Sequence, residues 1–112
     1  MCLVQLEKAA PKRDRIFYKV VHKKSRRTFI RNVEYLPGYT YEAVGNATPI
    51  IDPILNQVLY TSGVIHLYTT LKAAKYDRSL DELVIRCKCE PKDFVAWGTE
   101  DDVCCRRVTI LD

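Results

Sequence analysis

The sequence predicts an α+β domain, with a mostly antiparallel sheet of about six or seven short strands and one main helix packed on one face. Several short segments alternate between apolar and polar residues, which is typical of strands with one buried face. Short turns join these segments, and strands joined in this way pair antiparallel. A chain of 112 residues with 47% hydrophobic residues has room for one core.

Strand patterns dominate the first part of the chain. A polar turn at 23–26 separates two β-prone segments, so we expect a basic hairpin there. Residues 44–63 contain several Gly, Pro, Asn and Ser residues and predict a long loop, with a helical turn or short strand at 54–60. The strand candidates in this part are residues 16–22, 27–31, 39–43 and 64–68.

The helix signal lies in the second half. Residues 71–76 have good helix propensity, and the hydroxyl of Thr69 or Thr70 can cap the first turn. Leu71, Ala74 and Tyr76 would form its apolar stripe. The strand candidates that follow are residues 83–90, 93–97 and 103–111.

The sequence predicts one boundary along the chain, between residues 14 and 15. Residues 1–14 are polar and contain Pro11 in a charged run, which predicts a loosely attached arm that could dock through Leu3, Val4 and Leu6. Residues 15–112 would form the single α+β domain.

No apolar run approaches the length of a membrane span, and the start lacks a secretory pattern. We therefore expect a soluble, cytoplasmic protein without a membrane partner.

Charge is distributed unevenly along the chain. Residues 1–32 hold ten Lys and Arg against two Asp and Glu, whereas residues 33–112 hold eight against twelve. Such a basic segment indicates an acidic partner, although a solvated hairpin without a partner would have the same composition. The predicted basic and aromatic patch comprises Lys23, Lys24, Arg26, Arg27, Arg31, Tyr39 and Tyr41.

Histidine and cysteine supply the other candidates. His66 lies in a predicted strand and is a candidate ligand contact, although a structural histidine is the more common case. The thiols that could hold zinc are Cys87, Cys89, Cys104 and Cys105. Their spacing is not that of a zinc site, so we expect buried packing, no metal and no cofactor.

The order of these features resembles a family of small uncharacterised domains found in phages and bacteria. The matching segments are a strand at 17–21, a Tyr-x-x-x-Gly segment at 41–45, a strand running into a capped helix at 66–74, and alternating strands at 83–90 and 103–111. The resemblance implies a phage origin and transfers no catalytic residue.

Three functions remain as hypotheses. The first is a small non-enzymatic binding protein, phage-encoded, that engages a host protein or other macromolecule in the host cytoplasm, for example as an anti-defence inhibitor. The second is a nucleotide-binding or nucleotide-sequestering protein that uses the basic and aromatic patch. The same patch could bind nucleic acid, and such a protein could act as a symmetric homo-oligomer. The third is a small enzyme built around His66.

Overall fold

The computed structural model describes residues 3–28 and 33–112. Within these residues the chain forms ten β-strands, one α-helix and a 3-10 turn at Pro91–Asp93. The helix α1 spans Leu71–Asp77. The strands are β1 Leu3–Leu6, β2 Arg15–His22, β3 Thr40–Glu42, β4 Ile50–Asp52, β5 Gln57–Tyr60, β6 Ile65–Tyr68, β7 Glu82–Cys89, β8 Phe94–Gly98, β9 Asp102–Cys105 and β10 Arg107–Ile110.

All ten strands belong to one antiparallel sheet in the order β3-β10-β7-β2-β6-β9-β8-β1-β5-β4. The prediction of six or seven strands with a main packing helix is therefore wrong. Two of the additional strands, β1 and β4, have only three or four residues, too few to establish an alternation pattern. The predicted strand at 103–111 is two strands, β9 and β10, separated by Arg106.

The helix contributes little to the core. Thr70 is its N-cap, and the Thr70 side chain accepts a hydrogen bond of 3.1 Å from the amide of Ala73. Of the predicted stripe only Ala74 is buried, whereas Tyr76 is 89% exposed. With seven residues and one fully buried side chain, α1 covers part of β2, β6 and β7 and does not form a layer of its own.

The middle of the sheet is curled into a ring. β9 and β10 are joined by Arg106 alone, yet β6, β2 and β7 lie between them in the sheet. In a flat sheet this separation would be about 19 Å, from a strand spacing of ~4.8 Å. The chain from Cys105 to Arg107 can span only about 7 Å, two Cα–Cα steps. The strands β10, β7, β2, β6 and β9, here called the ring, must therefore close on themselves.

Buried side chains fill the ring. Phe17 of β2 meets Trp97 of β8 edge to face, with ring centroids 5.7 Å apart, although two strands separate β2 from β8 in the sheet. Phe17, Ile85 and Leu67 are almost completely buried within the same core cluster. A second, smaller cluster lies between the ring and the β1–β5–β4 extension and contains Leu3, Val64, Ala96 and Cys104.

Two predicted segments differ in the structure. The returning strand at 27–31 is not formed at its described residues, where Arg27 makes a single bridge to Glu34; residues 29–32 lie outside the described part. Within the predicted arm, Leu3–Leu6 is strand β1, and Leu3 is buried between β5 and β8. The segment thus docks through Leu3, as its apolar residues allowed, and the domain boundary at residue 15 stays a prediction.

Candidate functional site

A cavity of about 290 Å³ opens in the wall of the ring between β2 and β6. These two strands pair only at Tyr18 and Tyr68. An antiparallel ladder would continue with Val20 opposite His66, but beyond the Tyr18–Tyr68 pair the strands diverge, and residues from both of them line the cavity. The gap exists because β2 remains paired with β7 over its whole length.

Lys19 spans this gap. It lies between Phe17 and Val21 on the strand face that points into the core, an unusual position for a charged side chain. Its ammonium group donates a hydrogen bond of 2.8 Å to the main-chain oxygen of His66 and lies 5.3 Å from the centre of the Tyr35 ring. The lysine therefore connects β2 to β6 where the ladder of main-chain hydrogen bonds is interrupted.

The cavity walls are largely apolar. Two aromatic rings, Tyr35 and Tyr41, pack together with centroids 4.8 Å apart, and the amide of Leu36 donates to the Tyr41 hydroxyl at 2.8 Å. The aliphatic side chains that line the cavity are Val20, Val33, Ala43, Val44, Val64, Ile65 and Leu67. A ligand in this space would be bound mainly by burial of apolar surface.

Carboxylates lie at one end of the cavity. The Tyr68 hydroxyl donates a hydrogen bond of 2.7 Å to Asp77, the last residue of α1. Burial and this hydrogen bond both raise the pKa of Tyr68 well above its usual value, so the phenol stays protonated at neutral pH. Glu82 is nearby and accepts hydrogen bonds from the amide and hydroxyl of Ser79. Asp77 is exposed, so this acidic end faces solvent.

Two of the predicted site residues, His66 and Tyr41, lie at the cavity. His66 is in β6, paired with Cys104 of β9, and Tyr41 is in β3, paired with Val108 of β10. Four other lining residues with polar or charged side chains, Lys19, Tyr68, Asp77 and Glu82, were not candidates from the sequence. They come together through the divergence of β2 and β6, which no local pattern signals.

The predicted basic and aromatic patch is dispersed at its described residues. Arg26 donates through Nε to the main-chain oxygen of Tyr35 at 2.7 Å and through a terminal nitrogen to that of Asp112 at 2.6 Å. Arg27 forms an ion pair of 3.6 Å with Glu34. These two arginines therefore connect residues 26 and 27 to residues 34 and 35, and Arg26 also to Asp112.

Of the remaining patch residues, Lys23, Lys24 and Tyr39 are exposed and do not line the cavity. Arg31 lies outside the described residues. An acidic macromolecule that bound this face would meet the two lysines first, and that interpretation stays a prediction.

The four candidate thiols are free and buried. Cys87, Cys89 and Cys105 belong to the main core cluster and Cys104 to the smaller one, which places neighbouring Cys104 and Cys105 on opposite faces of β9. Burial raises the pKa of Cys87 and of Cys104 to about 12, so these thiols stay protonated and unreactive. In the described part of the chain, no three His, Cys, Asp or Glu side chains form a group that could hold a metal ion.

Comparison with protein-family models, with curated proteins and with solved structures finds no match for this chain. The resemblance to small phage and bacterial domains therefore stays a prediction. Over residues 3–28 and 33–112, no helix is long and apolar enough to cross a membrane.

Proposed function

We propose that this chain is a non-enzymatic binding protein whose ligand is a small, mainly apolar molecule that carries a protonated amine. The observation that supports the proposal is the cavity between β2 and β6, with aliphatic and aromatic walls and carboxylates at its solvent-facing end. The proposal keeps the class of function expected from the sequence and moves the binding site from the basic hairpin to the ring.

The size of the cavity favours a small ligand. Its volume of about 290 Å³ is at the lower end of the range for small-molecule sites, roughly 300–1,000 Å³. Such sites combine apolar walls with a few polar groups that fix the orientation of the ligand. Here the walls include Tyr41 and Leu67, and the orienting groups are Tyr68 and Asp77.

Charge favours a cation. Among the described lining residues, Lys19 is the one basic side chain other than histidine, against the carboxylates of Glu42, Asp77 and Glu82. The Lys19 ammonium already donates to the His66 oxygen. A phosphate at the acidic end would meet like charges, whereas an ammonium group would gain a charge-assisted hydrogen bond to Asp77. A nucleotide is therefore disfavoured here.

The acidic end is better suited to recognition than to acid–base chemistry. A general base works best with a pKa near the working pH. The pKa of Tyr68 is raised and its hydroxyl donates a hydrogen bond to Asp77, so it offers no phenolate near neutral pH. This arrangement supports binding over acid–base chemistry by Tyr68.

Titration of the ¹⁵N-labelled protein with four probes tests the proposal. Phenethylamine carries the amine on an apolar body, phenylethanol is its neutral analogue, 3-phenylpropionate is an anion, and adenosine monophosphate represents nucleotides. We expect phenethylamine to shift the amide resonances of Lys19, His66 and Tyr68 and to bind most tightly. Equal binding of phenylethanol would refute the cationic requirement, and unshifted cavity resonances would refute the site.

Two matched pairs of variants locate the binding. Asp77→Asn keeps an acceptor for Tyr68 but removes the charge, and we expect the affinity for phenethylamine to fall about tenfold or more, as for loss of a charged hydrogen-bond partner. Asp81→Asn is the control, because Asp81 is exposed and neither it nor its partner His22 lines the cavity. Val33→Trp should obstruct the cavity, whereas Leu36→Trp, equally exposed and outside it, should not.

A further inference from the structure

The β4–β5 hairpin has an unusual surface. Four large aliphatic side chains are exposed on it: Ile50 at 49%, Ile51 at 69%, Ile54 at 90% and Leu55 at 64%. Residues 44–63, which contain the hairpin, carry one charged side chain, Asp52. The Asp52 carboxylate accepts hydrogen bonds from the amides of Ile54 and Leu55 and so belongs to the turn.

The hairpin also forms one edge of the sheet. β4 pairs with β5 on one side, and no other strand of the described chain lies on its outer side. An edge strand presents main-chain N–H and C=O groups that an additional extended strand can pair with. Sheet edges are usually protected by charged side chains, but Ile50 and Ile51 here place an apolar side chain on each face of the edge.

We propose that this edge binds a second copy of the chain, with the two β4 strands antiparallel across a twofold axis at Ile51. In that register Ile51 faces Ile51 of the second copy, and Ile50 faces Asp52. A twofold interface must be complementary to itself. The proposed interface is complementary to itself, because the two aspartates do not oppose each other and the facing surfaces contain no other charge. A strongly charged partner would find no complementary group on the hairpin.

Two prolines limit the pairing to a short segment. Pro49 and Pro53 flank β4 and have no N–H to donate, so the ladder between copies is confined to about three residues. The exposed Ile54 and Leu55 in the adjacent turn extend the contact beyond the strand. The interface is small, and we expect a reversible dimer rather than an obligate one. This inference is independent of the proposed ligand.

Sedimentation equilibrium of the full chain, from about 10 µM to about 1 mM, covers the range in which small interfaces associate. We expect the wild-type chain to dimerise, and Ile51→Lys and Ile51→Glu each to be monomeric, because like charges would face each other on the axis. Leu80→Lys is the control: Leu80 is 96% exposed and lies just before β7, which is separated from β4 by six strands of the sheet. It should dimerise as the wild type does.

Mixing the two Ile51 variants makes the test specific for the proposed register. Lysine on one chain would face glutamate on the other, so an equimolar mixture of Ile51→Lys and Ile51→Glu should form a heterodimer. Ile51 is largely exposed, and far-ultraviolet circular dichroism of each variant verifies the fold. A monomeric wild type, a dimer unaffected by either charge, or a mixture that stays monomeric would overturn the proposal.

Discussion

Gly63 shows how one residue fixes the start of a strand beside the cavity. Its φ of +71° is favourable only for glycine, and a Cβ atom would overlap the main chain of Asn46. Its carbonyl accepts a hydrogen bond from the Arg106 guanidinium. Gly45 has a similar φ of +80°, but nothing lies where its Cβ would be. Substitution of Gly45 therefore has only the cost of the backbone conformation. Substitution of Gly63 has that cost and the cost of the overlap with Asn46.

We predict that Gly45→Ala lowers the free energy of unfolding by about 1 kcal/mol, the cost of a left-handed conformation. Gly63→Ala should lower it by at least about 3 kcal/mol, because the overlap with Asn46 adds to the same cost. Urea denaturation followed by circular dichroism measures both. Equal effects of the two substitutions would show that close contact at Gly63 does not matter.

Two of the residues that the sequence singled out, His66 and Tyr41, line the cavity, and their contact with a ligand stays a prediction. Arg26 and Arg27 looked like ligand contacts from composition alone. In the structure, Arg26 donates hydrogen bonds to the Tyr35 and Asp112 carbonyls, and Arg27 pairs with Glu34. Such tertiary partners cannot be read from a local pattern.

Strand β1 lies within the N-terminal segment, which the sequence allowed to dock through its apolar residues. It pairs with β5 on one side and β8 on the other, and Leu3 is completely buried. The following residues are also attached, since the Trp97 indole donates to the Ala9 oxygen at 2.9 Å and Lys8 lies 4.8 Å from the Trp97 ring. β1 thereby connects the β4–β5 hairpin to β8, the strand next to the ring.

We predict that Leu3→Ala lowers the free energy of unfolding by about 2–5 kcal/mol, as expected for loss of a fully buried leucine. Leu6→Ala, in the same strand, should cost less than about 1 kcal/mol, because Leu6 is 45% exposed. Thermal and urea unfolding of the two variants give the comparison. If Leu3→Ala behaved like Leu6→Ala, β1 would be loosely attached and Leu3 would contribute little to the core.

Strands with one buried face could be predicted from the sequence. Strands whose limits depend on their pairing partners could not. β7 alternates clearly because Ile85, Cys87 and Cys89 point into the core while Arg86 and Lys88 point away from it. β9 and β10 also alternate, so the sequence predicts a single strand. The break at Arg106 arises because β9 pairs with β6 and β8, whereas β10 pairs with β7 and β3.

At the scale of the molecule, Arg106 closes the ring. Its amide donates to the Asp93 oxygen at 2.7 Å, and its carbonyl accepts from the Ala43 amide at 2.8 Å. Its side chain reaches the Gly63 oxygen and lies 4.0 Å from Glu42. One residue thus joins the starts of β6 and β8 to the end of β3, at the corner between β9 and β10.

We predict that Arg106→Met lowers the free energy of unfolding by about 1.5–3 kcal/mol, the usual cost of removing a charged hydrogen-bond donor. Native-state hydrogen exchange should accelerate at the Ala43 amide, which is bonded to the corner. Arg86→Met is the control, because Arg86 and its partner Asp112 are more than half exposed and such pairs contribute less than about 1 kcal/mol. Unchanged exchange at Ala43 would show that the side chain is not needed for closure.

The closed ring also determines when folding can be completed during synthesis. During synthesis at ~5–20 residues per second, β2, β6 and β7 emerge from the ribosome before their neighbours β9 and β10. Until residues 102–110 emerge, one edge of β7 and one edge of β6 stay unpaired, and Phe17 and Leu67 have no closed interior to occupy. A nascent chain that ends before residue 102 therefore exposes apolar side chains and unpaired strand edges that the complete chain covers.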